Sequence, residues 1–399
     1  MGIDSKAQIA IEKCKFLGNV INNTAHTSFN TYWDQVTPEN GGKWGAVEAT
    51  RDNMNWNNLD MIYDFAQTNN IPFKQHTFIW GNQQPTWIGS LPEDEQLEEI
   101  QEWIQSFCQR YPNTEFIEVV NEPINDPPSS PTGDGGGYIN ALGGAGTTGY
   151  DWIINSFEMT REYCPDAKLL INEYNLLNGF TPSHTYLNII NLLKERDLID
   201  GVGLQSHSLE ETSATVLKSN LDEIATAGVP IYITEYEVRG DEAEQLSIYK
   251  EQFPILWNEK LVQGITLWGY IEGTMWRNEA YLLASNQTSE RAALSWLKAW
   301  VDDAAGGSFC FDGVTGIDDE QPQSLIYFTN PVIDGKLLWT STEAIQKFEI
   351  LDVQGKVVGV KKPSIESRKG SLDLNLPHGV YLLHVHTNHG IITEKIILK

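Results

Sequence analysis

Two glutamates in this sequence stand toward the ends of mainly apolar runs: Glu122 in VVNEP and Glu235 in YITEYE. The ends of neighbouring apolar runs add His76, Trp80, Asn121, Gln205, His207, Glu237 and Trp268. A carboxylate withdrawn from water is costly unless a partner or a task holds it there. Two carboxyl groups facing each other can cleave a sugar acetal, one protonating the leaving oxygen while the other attacks the anomeric carbon. A separation of about 5–5.5 Å would give a covalent intermediate and retention of configuration. Asn172-Glu173 repeats the Asn-Glu dipeptide after another apolar run, so by position alone Glu173 rivals Glu122 for the acid role.

Positioning such groups requires strands that end at one face. Eight short apolar runs qualify: residues 15–21, 33–37, 73–80, 116–122, 168–174, 201–207, 231–237 and 264–270. Helical stripes lie between them, as in Leu59/Ile62/Ala66, Leu97/Ile100/Ile104/Phe107 and Leu217/Leu221/Ile224, the last closed by Gly228 and Pro230. Near-continuous apolar strands alternating with helices predict an α/β parallel sheet covered on both faces, and eight units in about 300 residues predict a (β/α)8 TIM barrel. An open doubly wound sheet is the other architecture, but GNVINN after the first run is no glycine-rich phosphate loop. In a barrel the fourth and seventh strands stand on opposite sides, so Glu122 and Glu235 would face each other across the mouth.

The chain has 399 residues and a formal net charge of −27, which disfavours nucleic acid and anionic membrane surfaces as partners. No apolar stretch is long enough for a membrane-spanning helix, and the start, MGIDSKAQIAIEKCKF, has no h-region of a signal peptide. Cys14, Cys108, Cys164 and Cys310 form no CxxC pair, so neither a metal nor another cofactor is expected, and disulfides and buried thiols both stay open. Twelve of the 13 tryptophans precede residue 301, a supply of rings suited to sugar faces. The charge balance shifts near residue 320, with 9 Lys+Arg and 8 Asp+Glu from there to the end. The division expected is a catalytic barrel over 1–303, a linker over 304–321 and a small all-β sandwich over 322–399. In that last segment Leu372/Leu374/Leu376 and Tyr381/Leu383/Val385 alternate, with turns expected at VQGK (353–356) and TNHG (387–390).

Taken in order, TPENGGKW, HTFIWGNQ, VVNEP, INEYN, GLQSH, ITEYE and LWG…MW resemble glycoside hydrolase family 10, the retaining endo-β-1,4-xylanases, over about 10–302. The resemblance implies that Glu122 is the general acid/base and Glu235 the nucleophile, and that Glu173 is not catalytic. It implies that Asn121 bonds the sugar 2-hydroxyl, that His207 contacts the nucleophile and is held by Glu237, and that Gln205 lies near the acid/base. Glu39, Asn40, Lys43, His76, Trp80 and Gln83 would grip the glycone sugars, with Trp268 and Trp276 as a lid and Tyr174 on the aglycone side. Xylan and xylo-oligosaccharides are the implied partners, with the enzyme a monomer. Another retaining barrel glycosidase such as a β-1,4-glucanase is the enzymatic alternative; a sugar-binding barrel without turnover is the non-enzymatic one.

Three departures stand out. The family's Trp-His-Ser-Gln reads Trp80-Gly81-Asn82-Gln83, and its Glu-Leu-Asp reads Glu235-Tyr236-Glu237. The glycine-rich stretch 132–149 is expected to be a mobile aglycone-side loop. The tail, with TNPVIDGKL, EILDVQGKVV, LPHGVYLLHV and TEKIILK, resembles the C-terminal sorting domain of type IX secretion substrates. That implies contact with secretion machinery, export to the surface or medium, and a signal peptide absent from this sequence. A linker module and a carbohydrate-binding module are the other readings of the tail, the second weakened because Trp339 is its single tryptophan.

Overall fold

A computed structural model of the chain describes residues 8–11, 13–128, 137–304, 326–328, 332, 335–341, 345–352, 356–363, 369–374, 376–386 and 391–398. It divides into two compact units, Met1–Asp312 and Gly313–Lys399.

The first unit contains eight parallel strands: β1 (Phe16–Ile21), β2 (Val36–Pro38), β3 (Lys74–Ile79), β4 (Phe116–Asn121), β5 (Lys168–Glu173), β6 (Gly201–Leu204), β7 (Ile231–Tyr236) and β8 (Val262–Leu267). They run in the order β2-β1-β8-β7-β6-β5-β4-β3, and a parallel bridge between Val36 and Phe73 closes the sheet into a barrel. The expected runs hold, with trimmed ends. The second strand starts later than its apolar run because Phe29–Tyr32 forms a helical turn capped at Trp33. The sixth stops at Leu204 before a turn at Ser206 (φ +66°), and the eighth stops before Gly269 (φ +101°).

Helices Asn57–Asn69, Glu93–Arg110, Asp151–Tyr163, Ser183–Lys194, Ala214–Ala225, Glu242–Asn258 and Ala292–Asp303 supply the outer layer. Their buried stripes include Leu59/Ile62/Ala66, Ile100/Ile104/Phe107 and Leu217/Leu221/Ile224, while Leu97 is only partly covered. Cys108 and Cys164 form a disulfide, Cα–Cα 5.3 Å, which ties together the ends of the two helices flanking β4. Closing such a loop constrains the unfolded chain by about 2–4 kcal/mol.

Inside the barrel, the strands' N-terminal end is plugged by Phe16, Phe116, Leu170 and Tyr232, with Phe116 and Tyr232 rings 5.1 Å apart. Above this apolar floor the interior turns polar. Lys74 Nζ and Glu118 Oε1 form a fully buried pair at 2.6 Å, and Gln35, Thr37 and Thr266 bond to one another. The floor therefore excludes water from below, leaving the C-terminal ends of the strands as the open face.

The second unit has antiparallel strands β9 (Ile326–Phe328), β10 (Lys336–Ser341), β11 (Lys347–Leu351), β12 (Val357–Lys361), β13 (Lys369–Asp373), β14 (Gly379–His386) and β15 (Ile391–Leu398). They make sheets β13-β10-β9 and β12-β11-β14-β15. Leu337, Trp339 and Leu372 from the first share one apolar core with Phe348, Ile350, Leu383, Val385 and Ile396 from the second. This is the small sandwich expected from the alternation. Trp339 is buried in that core. The turns expected at 353–356 and 387–390 fall wholly or largely outside the described residues.

Candidate active site

A cavity of about 490 Å³ opens at the C-terminal ends of the barrel strands. It brings together Glu39, Asn40, Lys43, His76, Trp80, Gln83, Asn121, Glu122, Tyr174, Gln205, His207, Glu235, Trp268 and Trp276. Glu237 does not line it and lies behind His207.

Glu122 follows β4 in a left-handed conformation (φ +54°), and its carboxyl group accepts from Trp80 Nε1 and Gln205 Nε2, both at 2.8 Å. Burial pushes its pKa well above the ordinary glutamate value, and the charge of Glu235 adds to the effect. Glu235, on β7, is also buried, which by itself raises its pKa. The His207 hydrogen bond and the nearby charges of His76, His207 and Lys74 outweigh burial and hold Glu235 well below the usual range. At neutral pH one carboxyl group is thus protonated and its neighbour ionised, the division of labour that acetal cleavage needs.

A relay of side-chain amides joins the two. Gln205 Nε2 donates to Glu122 Oε1 (2.8 Å) and Asn121 Oδ1 (3.2 Å). Asn172 Nδ2 donates to the same Asn121 Oδ1 (2.9 Å) and to Glu235 Oε1 (2.8 Å). The Thr234 hydroxyl donates to Asn172 Oδ1 at 2.6 Å, fixing which way the Asn172 amide points. Asn121 Nδ2 is left buried with no hydrogen-bond partner among the described residues. A buried orphan donor costs about 1–3 kcal/mol, so this one is suited to a ligand hydroxyl. In the sequence Asn172 shows only as half of the repeated Asn-Glu dipeptide, and its place in the relay comes from the pairing of β4 with β5.

His207 stands between two carboxylates, Nε2 at 3.0 Å from Glu235 Oε2 and Nδ1 at 2.7 Å from Glu237 Oε2. Burial lowers its pKa, but the two carboxylates prevail and lift it to about 10, so it is an imidazolium that donates on both sides. Glu237 makes a second contact, its other oxygen accepting from Arg277 Nη1 at 2.8 Å. Arg277 also bonds Ser208 Oγ at 2.7 Å and follows Trp276 in the chain, so it ties the Trp276 segment to the charge network. Below, His76 Nδ1 bonds Glu118 Oε2 at 2.6 Å, and Glu118 is the partner of Lys74. Ligand atoms of His76, Glu118 and Glu235 lie within 4.8 Å of one another, with the Lys74 ammonium on Glu118 as the cation among them.

On the β2–β3 side Lys43 Nζ donates to Asn40 Oδ1 (3.0 Å) and Gln83 Oε1 (2.6 Å), and lies 5.2 Å from the Trp80 ring centroid. Burial lowers the Lys43 pKa and raises that of Glu39. Trp268 is buried, edge-on to His76 at 5.2 Å, whereas Trp276 is 59% exposed beside the His207 ring at 5.1 Å. Gly81 explains the missing histidine: a Cβ there would stand 2.4 Å from the Asp126 carbonyl oxygen and 2.6 Å from that of Pro127. The loop that follows Glu122 packs directly on the Gly81 backbone, and Gly81 N donates to Asp126 O at 2.9 Å.

Glu173 is fully buried and turned away from the cavity. It accepts from the backbone N–H groups of Ile124 and Tyr174 and from Asn125 Nδ2, all at 2.9 Å, and so anchors the loop after β4. In the glycine-rich stretch, residues 132–136 lie outside the described residues. Residues 137–149 are held at both ends: Tyr138 is buried with its hydroxyl donating to Trp80 O at 2.8 Å, and Asp151 accepts from the backbone of Thr147 and Thr148.

Residues 4–299 match the model of glycosyl hydrolase family 10, and residues 328–399 that of the secretion system C-terminal sorting domain. The chain is 41% identical over 288 residues to Endo-1,4-beta-xylanase B of Cellvibrio japonicus, covering 71% of this chain and 45% of that protein. It is 27% identical to Endo-1,4-beta-xylanase A of Caldicellulosiruptor saccharolyticus, covering 62% of this chain and 78% of that one. The chain thus spans less than half the length of the first of these relatives. Xylanase 10B of Thermotoga petrophila, solved in complex with xylobiose, shares the fold with a TM-score of 0.63 at 24% identity, covering 73% of this chain and 95% of that one. The family match takes in every strand and loop that lines the cavity, and it makes the chain a member of glycosyl hydrolase family 10.

Proposed function

We propose that the protein is an endo-β-1,4-xylanase that cleaves internal bonds of xylan with retention of configuration. The observation that carries this is geometric: Glu122 and Glu235 line one cavity and are bridged by the Gln205–Asn121–Asn172 relay, in surroundings that push their pKa values apart. Glu122 gives its proton to the glycosidic oxygen while a Glu235 oxygen bonds to the anomeric carbon, breaking the sugar–oxygen bond and releasing the aglycone chain. Water then attacks the same carbon, giving up its proton to the Glu122 carboxylate, and the bond to Glu235 breaks. Asn121 Nδ2 donates to the sugar 2-hydroxyl, a contact that strengthens as positive charge develops on the ring. His207, held by Glu237, keeps Glu235 ionised and aimed, and Gln205 orients Glu122. Glu39, Asn40, Lys43, His76, Trp80 and Gln83 hold the glycone sugars under Trp268 and Trp276, and Tyr174 meets the first aglycone sugar. The name shared by the two relatives supports xylan as the substrate.

The domain reading is a catalytic barrel over 1–303, a linker over 304–321 and a tail over 322–399. The match of residues 328–399 supports recognition of the tail by a secretion machine and delivery to the cell surface or medium.

Proton NMR of xylohexaose during hydrolysis tests the catalytic reading. Internal cleavage with the β-anomer appearing first is expected. An α-anomer first, release of single terminal sugars, or turnover of cello-oligosaccharides in place of xylohexaose would overturn it.

A further inference from the structure

Phe180 is 81% exposed, the most exposed large apolar side chain among the described residues. Single apolar side chains at a surface are common. What sets Phe180 apart is the rigidity with which its neighbours hold it outward. Leu176, Leu177 and Thr181 are buried on either side of it. Thr181 N donates to Asn175 O (2.8 Å), Asn125 Nδ2 to Thr181 Oγ1 (2.8 Å), and Asn220 Nδ2 to Leu177 O (2.9 Å). Phe180 N donates to Asn178 Oδ1 at 3.1 Å across Gly179, whose φ of +82° makes the turn. The chain is thus fixed on both sides of a ring left in water.

Phe180 lines a second cavity of about 550 Å³ together with Asn178, Val216, Glu210 and Arg239. Val216 is itself 42% exposed, so the two make a small apolar patch. This cavity shares Ser208 with the catalytic one. It also continues the same two loops. After β5, Tyr174 and Asn175 line the first cavity, and Asn178 and Phe180 line the second. After β6, His207 and Ser208 line the first, and Glu210 to Ser213 line the second. Glu39, Lys43 and Gln83 do not line the second cavity, whereas the loop that carries Tyr174 runs on into it; on the reading above, in which Tyr174 meets the first aglycone sugar, this is the side on which the leaving portion of the chain departs.

We propose that this second cavity binds the distal aglycone arm of the polysaccharide, with Phe180 as the platform on which a xylose ring stacks. The proposal rests on the xylanase reading above. An aromatic face suits the C–H face of a sugar, and a pre-ordered platform binds without the cost of ordering a loop. The cationic groups here are already engaged: Glu210 Oε1 accepts from Arg239 N (3.0 Å) and Nε (3.2 Å), and lies 3.5 Å from Arg277 Nη1. The unit expected on the platform is therefore a neutral xylose rather than a uronate-bearing one.

The test compares kcat/KM on xylohexaose with kcat/KM on an aryl β-xylobioside, whose small leaving group ends before the second cavity. For Phe180→Ala and Phe180→Leu the xylohexaose-to-aryl ratio is expected to fall roughly three- to tenfold through KM. Phe180→Tyr, which keeps the ring face, is expected to hold the ratio of the parent protein. An unchanged ratio in Phe180→Ala, or an equal loss with Leu and Tyr, would overturn the platform alone. Parent protein inert on both substrates would overturn the xylanase reading and the platform with it.

Discussion

Asn172 Nδ2 sits 2.8 Å from Glu235 Oε1 and 2.9 Å from Asn121 Oδ1, so one amide group aims a carboxylate and turns a second amide toward the substrate. Converting Asn172→Asp keeps the shape and replaces a donor with a negative charge. Loss of a hydrogen bond to a charged group costs about 1.5–3 kcal/mol, an expected loss of ~10–150-fold in kcat/KM. The added charge raises the Glu235 pKa, so the acid limb of the rate profile should move to higher pH. A pH–rate profile on xylan for both proteins checks the size and the direction together.

The opposed shifts of Glu122 and Glu235 fix the sign of the pH dependence. Glu122 acts protonated with a raised pKa, so activity should survive past the ordinary glutamate range and fall as pH rises through the elevated value. Glu235 acts ionised with a depressed pKa, so the opposite limb should lie at strongly acidic pH. Glu235→Ala should lose on the order of 10⁴-fold or more in kcat. A profile that falls on the acid side only, with no decline toward high pH, would count against Glu122 as the acid.

Glu173 and Glu122 each close an Asn-Glu dipeptide but should respond differently. Glu173→Gln loosens the loop at Ile124 and Asn125, so the expected result is a lower melting temperature with kcat reduced roughly tenfold or less, one hydrogen-bond's worth. Glu122→Gln should cost on the order of 10²–10⁴-fold in kcat on xylan, the range for a lost general acid. Melting curves and kcat for the two variants side by side would show the reversal if the assignments were exchanged.

Gly81→Ala pushes a methyl group into the Asp126 and Pro127 carbonyls. Overpacking against backbone costs about 1–3 kcal/mol, and the loop displaced is the one that follows Glu122. Thermal unfolding should come at lower temperature and kcat should drop, and Gly81→His, which restores the family residue, should fare worse than Ala. An active, stable histidine variant would show that the loop yields.

Much of this was legible in the sequence because strands and their ends are local features. Apolar runs placed Glu122 just after β4 and Glu235 on β7, and period-2 alternation marked Leu383 and Val385 as core. Asn172 was harder to see because its role depends on register. It pairs with Asn121 across β4 and β5, and the strand's alternation sends Glu173 to the opposite side. Lys74 and Glu118 did carry a signal, opposite charges inside two apolar runs, yet only the closed barrel makes them a pair. Arg277 and the Cys108–Cys164 bridge join residues whose spacing says nothing about proximity.

That bridge bears on how the protein is handled. It clamps the crossovers on either side of the strand that presents Glu122, yet neither Cys108 nor Cys164 lines the catalytic cavity. Material produced in a reducing cytosol should therefore turn over substrate at a normal rate when freshly prepared, but inactivate sooner on warming than material from an oxidising compartment. Shelf life, rather than specific activity, would report whether the thiols had been joined.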